Sequence, residues 1–202
     1  MGDSKGTQLI EIVGYHTCSS YGGRTHVLAN APFFCDPDNE QWLTDGYYFW
    51  TDSDYFAHDW GKKGRGYRRG YAIVQCRIMI DSDLLLDLVG NVDHQLYFED
   101  MIQAYKERLQ QAGSIENSVT VSQVIAYWRD QAQAEKDIFP YIAIKAQDGR
   151  HEDRLNFVEE RREYMPRLTR QQLCLFQEGK DSIKNKCLVH PTLWANSQKP
   201  CN

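Results

Sequence analysis

The spacing of hydrophobic and polar positions changes several times along the chain, and each change marks an element. Residues 9–15 (LIEIVGY) alternate apolar and polar side chains, the period of a half-buried strand, and deliver His16 and Thr17 at the strand's end. Residues 20–31 admit a short helix after Gly22 and Gly23, while the two prolines within 32–39 predict a loop. Residues 42–60 (WLTDGYYFWTDSDYFAHDW) crowd aromatic rings together with four aspartates. Within them, residues 47–50 predict a strand with Tyr48 and Trp50 on one face and Tyr47 and Phe49 on the other. The side-chain oxygens of Thr51, Asp52, Ser53 and Asp54 suit the cap of a short helix over 55–60.

Residues 71–80 (YAIVQCRIMI) are apolar at nearly every position, as in a strand internal to a sheet, and 81–88 turn into another apolar stretch. Leu96, Met101, Ala104, Tyr105 and Leu109 recur at helical spacing over 93–111, with Gly113 placed to end the helix. Val121, Val124, Ile125, Trp128 and Ala132 form the stripe of a second helix over about 118–136, with Asn117 or Ser118 as its cap. His94 and Glu99 fall in the first of these helices as surface or cap residues. Strands return at 139–145, 155–159 and 169–177, with the charged loop EERREYMPR before the last. The segment KCLVHPTLW allows a final short strand, and a polar tail over about 195–202 is expected to be flexible. Strands on either side of a central helical pair at about 94–136 predict an α+β fold in a single domain over 1–202.

Composition agrees with one core: 202 residues, 42% hydrophobic and 25% charged, exclude a disordered chain. A formal charge of -5 gives no global pull on a phosphate backbone, so a nucleic-acid partner needs a local patch. Residues 61–70 (GKKGRGYRRG) offer one: Lys62, Lys63, Arg65, Arg68 and Arg69 for phosphates and Tyr67 for stacking on a base. A solvated loop explains the same composition. No apolar run is long enough to span a bilayer, and the first residues lack a secretory or myristoylation pattern, so a cytoplasmic location without a membrane partner is expected. Six scattered cysteines without a CxxC pair argue against a metal knuckle and predict reduced thiols with no bound metal.

Three of these segments, in this order, resemble the ADP-ribosyltransferase superfamily, in particular its bacterial toxin-like members. VGYHT resembles the first strand, WLTDGYYFWTDSDYFAHDW the second strand and its helix, and TRQQLCLF the third strand. The resemblance implies a split β-sheet core with flanking helices, NAD as ADP-ribose donor, and a macromolecular acceptor, nucleic acid or protein. It also implies a toxin or defence role, in which an antitoxin or chaperone would be the partner. His16 would hydrogen-bond the nicotinamide-side ribose, Thr17 or nearby backbone would fix the carboxamide, and Tyr48 would stack on the nicotinamide with Trp50 extending that wall. The third segment places Gln172 where the family usually has glutamate. An amide cannot act as a base and stabilises an oxocarbenium-like centre less, so single transfer rather than polymer formation is expected. Glu159 and Glu160 are candidates for the missing carboxylate.

Two other enzymes and a binding module compete with this expectation. NAD-dependent removal of an RNA 2′-phosphate needs basic residues clustered in the pocket, and the matched positions have none. A catalytically weakened NAD- or ADP-ribose-binding module would account for Gln172. A Cys–His hydrolase built on Cys18 and His16 lacks an orienting partner.

Overall fold

A computed structural model describes residues 7–36, 41–64, 67, 70–113, 119–148, 154–156, 163–166 and 170–196. Its frame is a seven-stranded mixed sheet in the order β4-β5-β8-β2-β1-β3-β9, with a separate two-stranded hairpin of β6 and β7. The strands are β1 (Leu9–Ser19), β2 (Tyr47–Thr51), β3 (Tyr71–Asp81), β4 (Leu85–Asp87), β5 (Ala143–Gln147), β6 (Arg154–Asn156), β7 (Tyr164–Pro166), β8 (Gln171–Leu175) and β9 (Ile183–His190). The helices are α1 (Gly23–Asn30), α2 (Tyr55–Asp59), α3 (Val92–Gln111), α4 (Val121–Ala134) and α5 (Thr192–Ala195), and a π-helical turn, Trp60–Gly64, continues α2. The α+β class expected from the sequence is therefore what the chain forms. Among the described residues only β4 and β5 pair in parallel; β1 and β3, the two longest strands, pair antiparallel from Leu9 opposite Asp81 to Ser19 opposite Tyr71.

Alternation along the strands sorts the core onto two faces. Tyr47, Phe49, Val74, Cys76, Leu173 and Leu175 point to one face, where Val27 and Ala31 of the α1 region cover them. On the other face two clusters form side by side. Leu86, Ile144, Ala146 and Cys174 pack under Phe98 and Met101 of α3 and Val124 and Ile125 of α4. Trp50 and Ile73 pack under Ala57 of α2, with Trp60 and Tyr71. These elements bury apolar area at about 25 cal/mol per Å², so the helices stay where the sheet offers that area. The two clusters are separate: Tyr48 of β2 packs against the first, and Trp50 of the same strand belongs to the second.

Several local details differ from expectation. The apolar stripe of α3 is carried by Phe98 and Met101, whereas Leu96 is 55% exposed. Thr120 rather than Asn117 or Ser118 caps α4, because its hydroxyl accepts from Gln123 N–H while the Gln123 side chain accepts from Thr120 N–H, a reciprocal capping box. Asp54 makes no capping bond to α2; Ser53 Oγ accepts from Tyr55 N–H instead. Residues 139–142 lead into β5 without joining it, so that strand starts later and runs further than its hydrophobic run predicts. Cys18, Cys76 and Cys174 are buried free thiols, but Cys187 is disulfide-bonded. Because a disulfide persists best in an oxidising compartment, the cysteines do not carry the cytoplasmic expectation. Of the flexible tail expected over about 195–202, Ala195 instead ends α5 and residues 197–202 lie outside the described residues; among those described no helix is long and apolar enough to cross a membrane.

Gly46, at the entry to β2, has no room for a side chain: a Cβ there would sit 2.6 Å from Cys174 Sγ and 2.8 Å from the Leu175 carbonyl oxygen. The carbonyl belongs to β8 and cannot move without breaking the sheet. Gly46→Ala is expected to cost about 1–3 kcal/mol, a drop of several degrees in melting temperature. A melting temperature unchanged from wild type would contradict this packing.

Candidate functional site

The sheet opens between β1 and β2. These strands pair at only two positions, Gly14 opposite Thr51 and Tyr15 opposite Trp50, and then separate. The imidazole of His16 fills the opening. Phe33 N–H donates to His16 Nε2 at 3.1 Å, so that nitrogen keeps its lone pair, and Nδ1–H donates to the Tyr48 carbonyl at 2.9 Å. Cys35 and Gly46 exchange two backbone hydrogen bonds of 2.9 and 3.1 Å, which ties the segment at 33–35 to the start of β2. His16 is 4% exposed, and desolvation pushes its pKa down to about 4, against a smaller opposing effect of the Tyr48 carbonyl.

A cleft of about 390 Å³ lies at this opening and brings together residues from all three family-like segments: His16 and Thr17 from the first, Tyr48 and Trp50 from the second, Gln172 from the third. Trp42 and Tyr48 approach it from the cluster beneath α3 and α4, and Trp50 and Trp60 from the cluster beneath α2. Tyr15, Trp50, Gln172 and Ala146 form a row across β1, β2, β8 and β5 on the cleft face. Tyr48 contributes its ring and not its hydroxyl, which donates to the Thr44 carbonyl at 2.6 Å and accepts from Leu43 N–H at 3.1 Å. Burial raises that hydroxyl's pKa, so it stays a neutral anchor. Trp42 Nε1–H donates to Gln172 Oε1 at 2.7 Å, and the Gln172 amide nitrogen makes no hydrogen bond to the described residues. The remaining donors of Gln172 are thus the polar groups it can offer a ligand.

The loop that carries Trp42 into the cleft is held under strain. Thr44, a β-branched residue, has φ 74° and is buried. Asp45 beside it accepts from Thr44 Oγ1 at 3.0 Å and from Arg129 Nη1 of α4 at 2.7 Å, while the Arg129 guanidinium lies 4.1 Å from the Phe176 ring centre. Arg129 therefore anchors the cleft loop to the helical layer.

These contacts correct the roles expected of two residues. Both ring nitrogens of His16 are committed to backbone, so it has none left to bond a ribose; its part is to hold the strands apart. The Thr17 hydroxyl donates its hydrogen to the Ala57 carbonyl at 2.9 Å and ties β1 to α2, which leaves the expected carboxamide contact to nearby backbone. The Cys–His hydrolase falls with them, since the Cys18 thiol is buried, its pKa raised by desolvation to about 12, and His16 has no free nitrogen to serve as its base. Of the basic loop, Tyr67 reaches the cleft and donates its hydroxyl to the Thr17 carbonyl at 3.4 Å, and Lys63 is ion-paired with Asp59 at 2.8 Å. Arg65, Arg68, Arg69, Glu159 and Glu160 lie outside the described residues. Sequence patterning missed Trp42, Trp60 and Asp148, all of which border the cleft. The two tryptophans stood at the ends of the aromatic stretch, whereas Asp148 followed a strand expected to end at 145. Among the described residues no group of three or more His, Cys, Asp or Glu is placed to hold a metal. No protein-family model, curated protein or solved structure matches this chain.

The depressed pKa of His16 makes stability depend on pH in a defined direction. Unfolded chains bind its proton near 6.5 and the folded protein only near 4, so between these values the unfolded state holds more protons and stability falls as pH falls. The gap corresponds to about 3 kcal/mol, fully lost below about pH 4. Between pH 7 and 4.5, wild type is expected to lose more melting temperature than His16→Gln, which cannot titrate. Equal losses in the two proteins would contradict the buried neutral imidazole.

Proposed function

We propose that the protein is an NAD-dependent mono-ADP-ribosyltransferase acting on a macromolecular acceptor, with the opening of the sheet at β1 and β2 as the family's split core. One observation carries this: the three family-like segments, distant in sequence, border a single aromatic cleft. The nicotinamide of NAD is a flat cation, and the rings of Tyr48, Trp42, Trp50 and Trp60 supply faces whose negative quadrupole attracts such a ring. Gln172 offers amide donors beside that aromatic wall, suited to a ribose hydroxyl.

In the reaction the bond between C1′ of the ribose and the ring nitrogen of nicotinamide breaks, and its electron pair neutralises the pyridinium. The acceptor's nucleophilic atom then bonds C1′ and gives up its proton. Aromatic faces favour the cationic substrate over neutral nicotinamide, which favours product release. Gln172 is neutral, so it orients the ribose without fully stabilising the developing positive charge. The same neutrality favours a second reading, a module that holds NAD or ADP-ribose with little turnover.

Nicotinamide release from labelled NAD, with and without cell lysate, separates the two. The enzyme is expected to release nicotinamide and label a macromolecule. Tyr48→Ala should lower kcat/KM by about 10- to 100-fold through loss of stacking, and Gln172→Glu should raise release by restoring a negative charge. NAD should bind more tightly than NADH, whose nicotinamide ring is uncharged. Binding of NAD without release in either wild type or Gln172→Glu supports the module, and absence of NAD binding rejects both.

A further inference from the structure

We infer that Asp148 is the general base of this cleft, accepting the proton that the acceptor loses as it bonds C1′; this rests on the transferase reading above. Among the described residues that border the cleft, Asp148 alone bears a carboxylate. It lies just beyond the end of β5, on the same face as Ala146, the residue opposite Gln172. The pairing continues past the strand, since Asp148 N–H donates to the Arg170 carbonyl at 3.1 Å. Asp148 and Gln172 are thus diagonal neighbours on one face of an antiparallel pair, a relation that spaces residues about 7–8 Å apart, with Cβ atoms somewhat closer. A ribose bonded by the Gln172 amide would have Asp148 at its flank.

The carboxylate is also aimed. Arg170 Nη1 lies 3.3 Å from Asp148 Oδ2, and Arg170 Nη2 is 3.7 Å from Asp59 Oδ2 of α2. The guanidinium is held from both sides, and its fork restricts the direction in which the Asp148 carboxylate points. The Asp148 side chain remains 47% exposed, so an acceptor arriving from solvent can reach it. The step balances: the C1′–nitrogen bond breaks with its electron pair going to nicotinamide, an acceptor oxygen or nitrogen bonds C1′, and its proton passes to Asp148 and then to water. This supplies the base that Gln172 cannot be.

Water and azide as small acceptors test the assignment, because water must lose a proton on attack and the azide anion brings none. Nicotinamide release is measured for wild type, Asp148→Asn and Asp148→Glu, with NAD binding followed by tryptophan fluorescence. Asp148→Asn keeps the shape of the side chain and a neutral hydrogen bond to Arg170. It is expected to lower kcat for hydrolysis by about 10²–10⁴-fold with KM changed by no more than about threefold, and azide should restore release and yield ADP-ribosyl azide. Asp148→Glu should recover part of the hydrolysis. Hydrolysis by Asp148→Asn within about threefold of wild type would overturn the base while leaving the transferase standing. Failure of azide to restore release would overturn it too, since the carboxylate would then be serving the sugar cation. A wild-type protein that binds NAD but releases no nicotinamide would take down the transferase, and the base with it.

Discussion

The architecture of the cleft depends on one imidazole used as a bridge. Two antiparallel strands that pair at Tyr15 and Trp50 would ordinarily continue to exchange hydrogen bonds, leaving an uninterrupted sheet with no room for a ligand. His16 prevents this by taking the Tyr48 carbonyl for its own N–H and offering its lone pair to Phe33 N–H. The Tyr48 carbonyl, freed where the strands part, and the Phe33 N–H of the neighbouring loop are thereby both satisfied by protein, which is the condition for leaving them buried. The neutral imidazole, with one donor and one acceptor, does both; the imidazolium has no acceptor and cannot. Protonation would replace the acceptor with a second donor facing Phe33 N–H, and burial opposes that charge.

Once the sheet is open, its surroundings determine what the cleft can hold. Two separate apolar clusters lie on one face of the sheet, and tryptophans from each border the cleft. Polar groups are few, and most are tied down: the Tyr48 hydroxyl to the loop at 43–44, the Thr17 hydroxyl to α2, the Gln172 oxygen to Trp42. The described lining offers a ligand aromatic area, the amide hydrogens of Gln172 and, at the flank, the Asp148 carboxylate that Arg170 holds. Strain at Thr44, held by the Asp45–Arg129 pair, keeps this arrangement preformed, which reduces the ordering cost of binding a flat cation.

Much of this was legible from side-chain periodicity. Alternation over 9–15 and the nearly continuous apolar run over 71–80 gave the two longest strands, and alternation within YYFW placed Tyr48 and Trp50 on the face that lines the cleft. Helical spacing located α3 and α4 to within a few residues. The commitments of individual polar atoms were not legible. Nothing in VGYHT says that the histidine turns its nitrogens to Tyr48 and Phe33, because those partners are brought in by a loop and a neighbouring strand distant in sequence. Asp148 escaped notice for a related reason: its place beside Gln172 follows from the register between β5 and β8, which no local pattern encodes. Leu96 misled in the opposite sense, since helical spacing says which residues share a stripe and not whether another element covers it.

The structure of the protein in complex with NAD tests the account most directly. The account predicts the nicotinamide ring against Tyr48, the ribose between the Gln172 amide and the Asp148 carboxylate, and the His16 hydrogen bonds to Tyr48 and Phe33 unbroken. A complex in which the dinucleotide lies outside the opening of the sheet, or in which the His16 ring turns out of its bridge to bond the ribose, would contradict it.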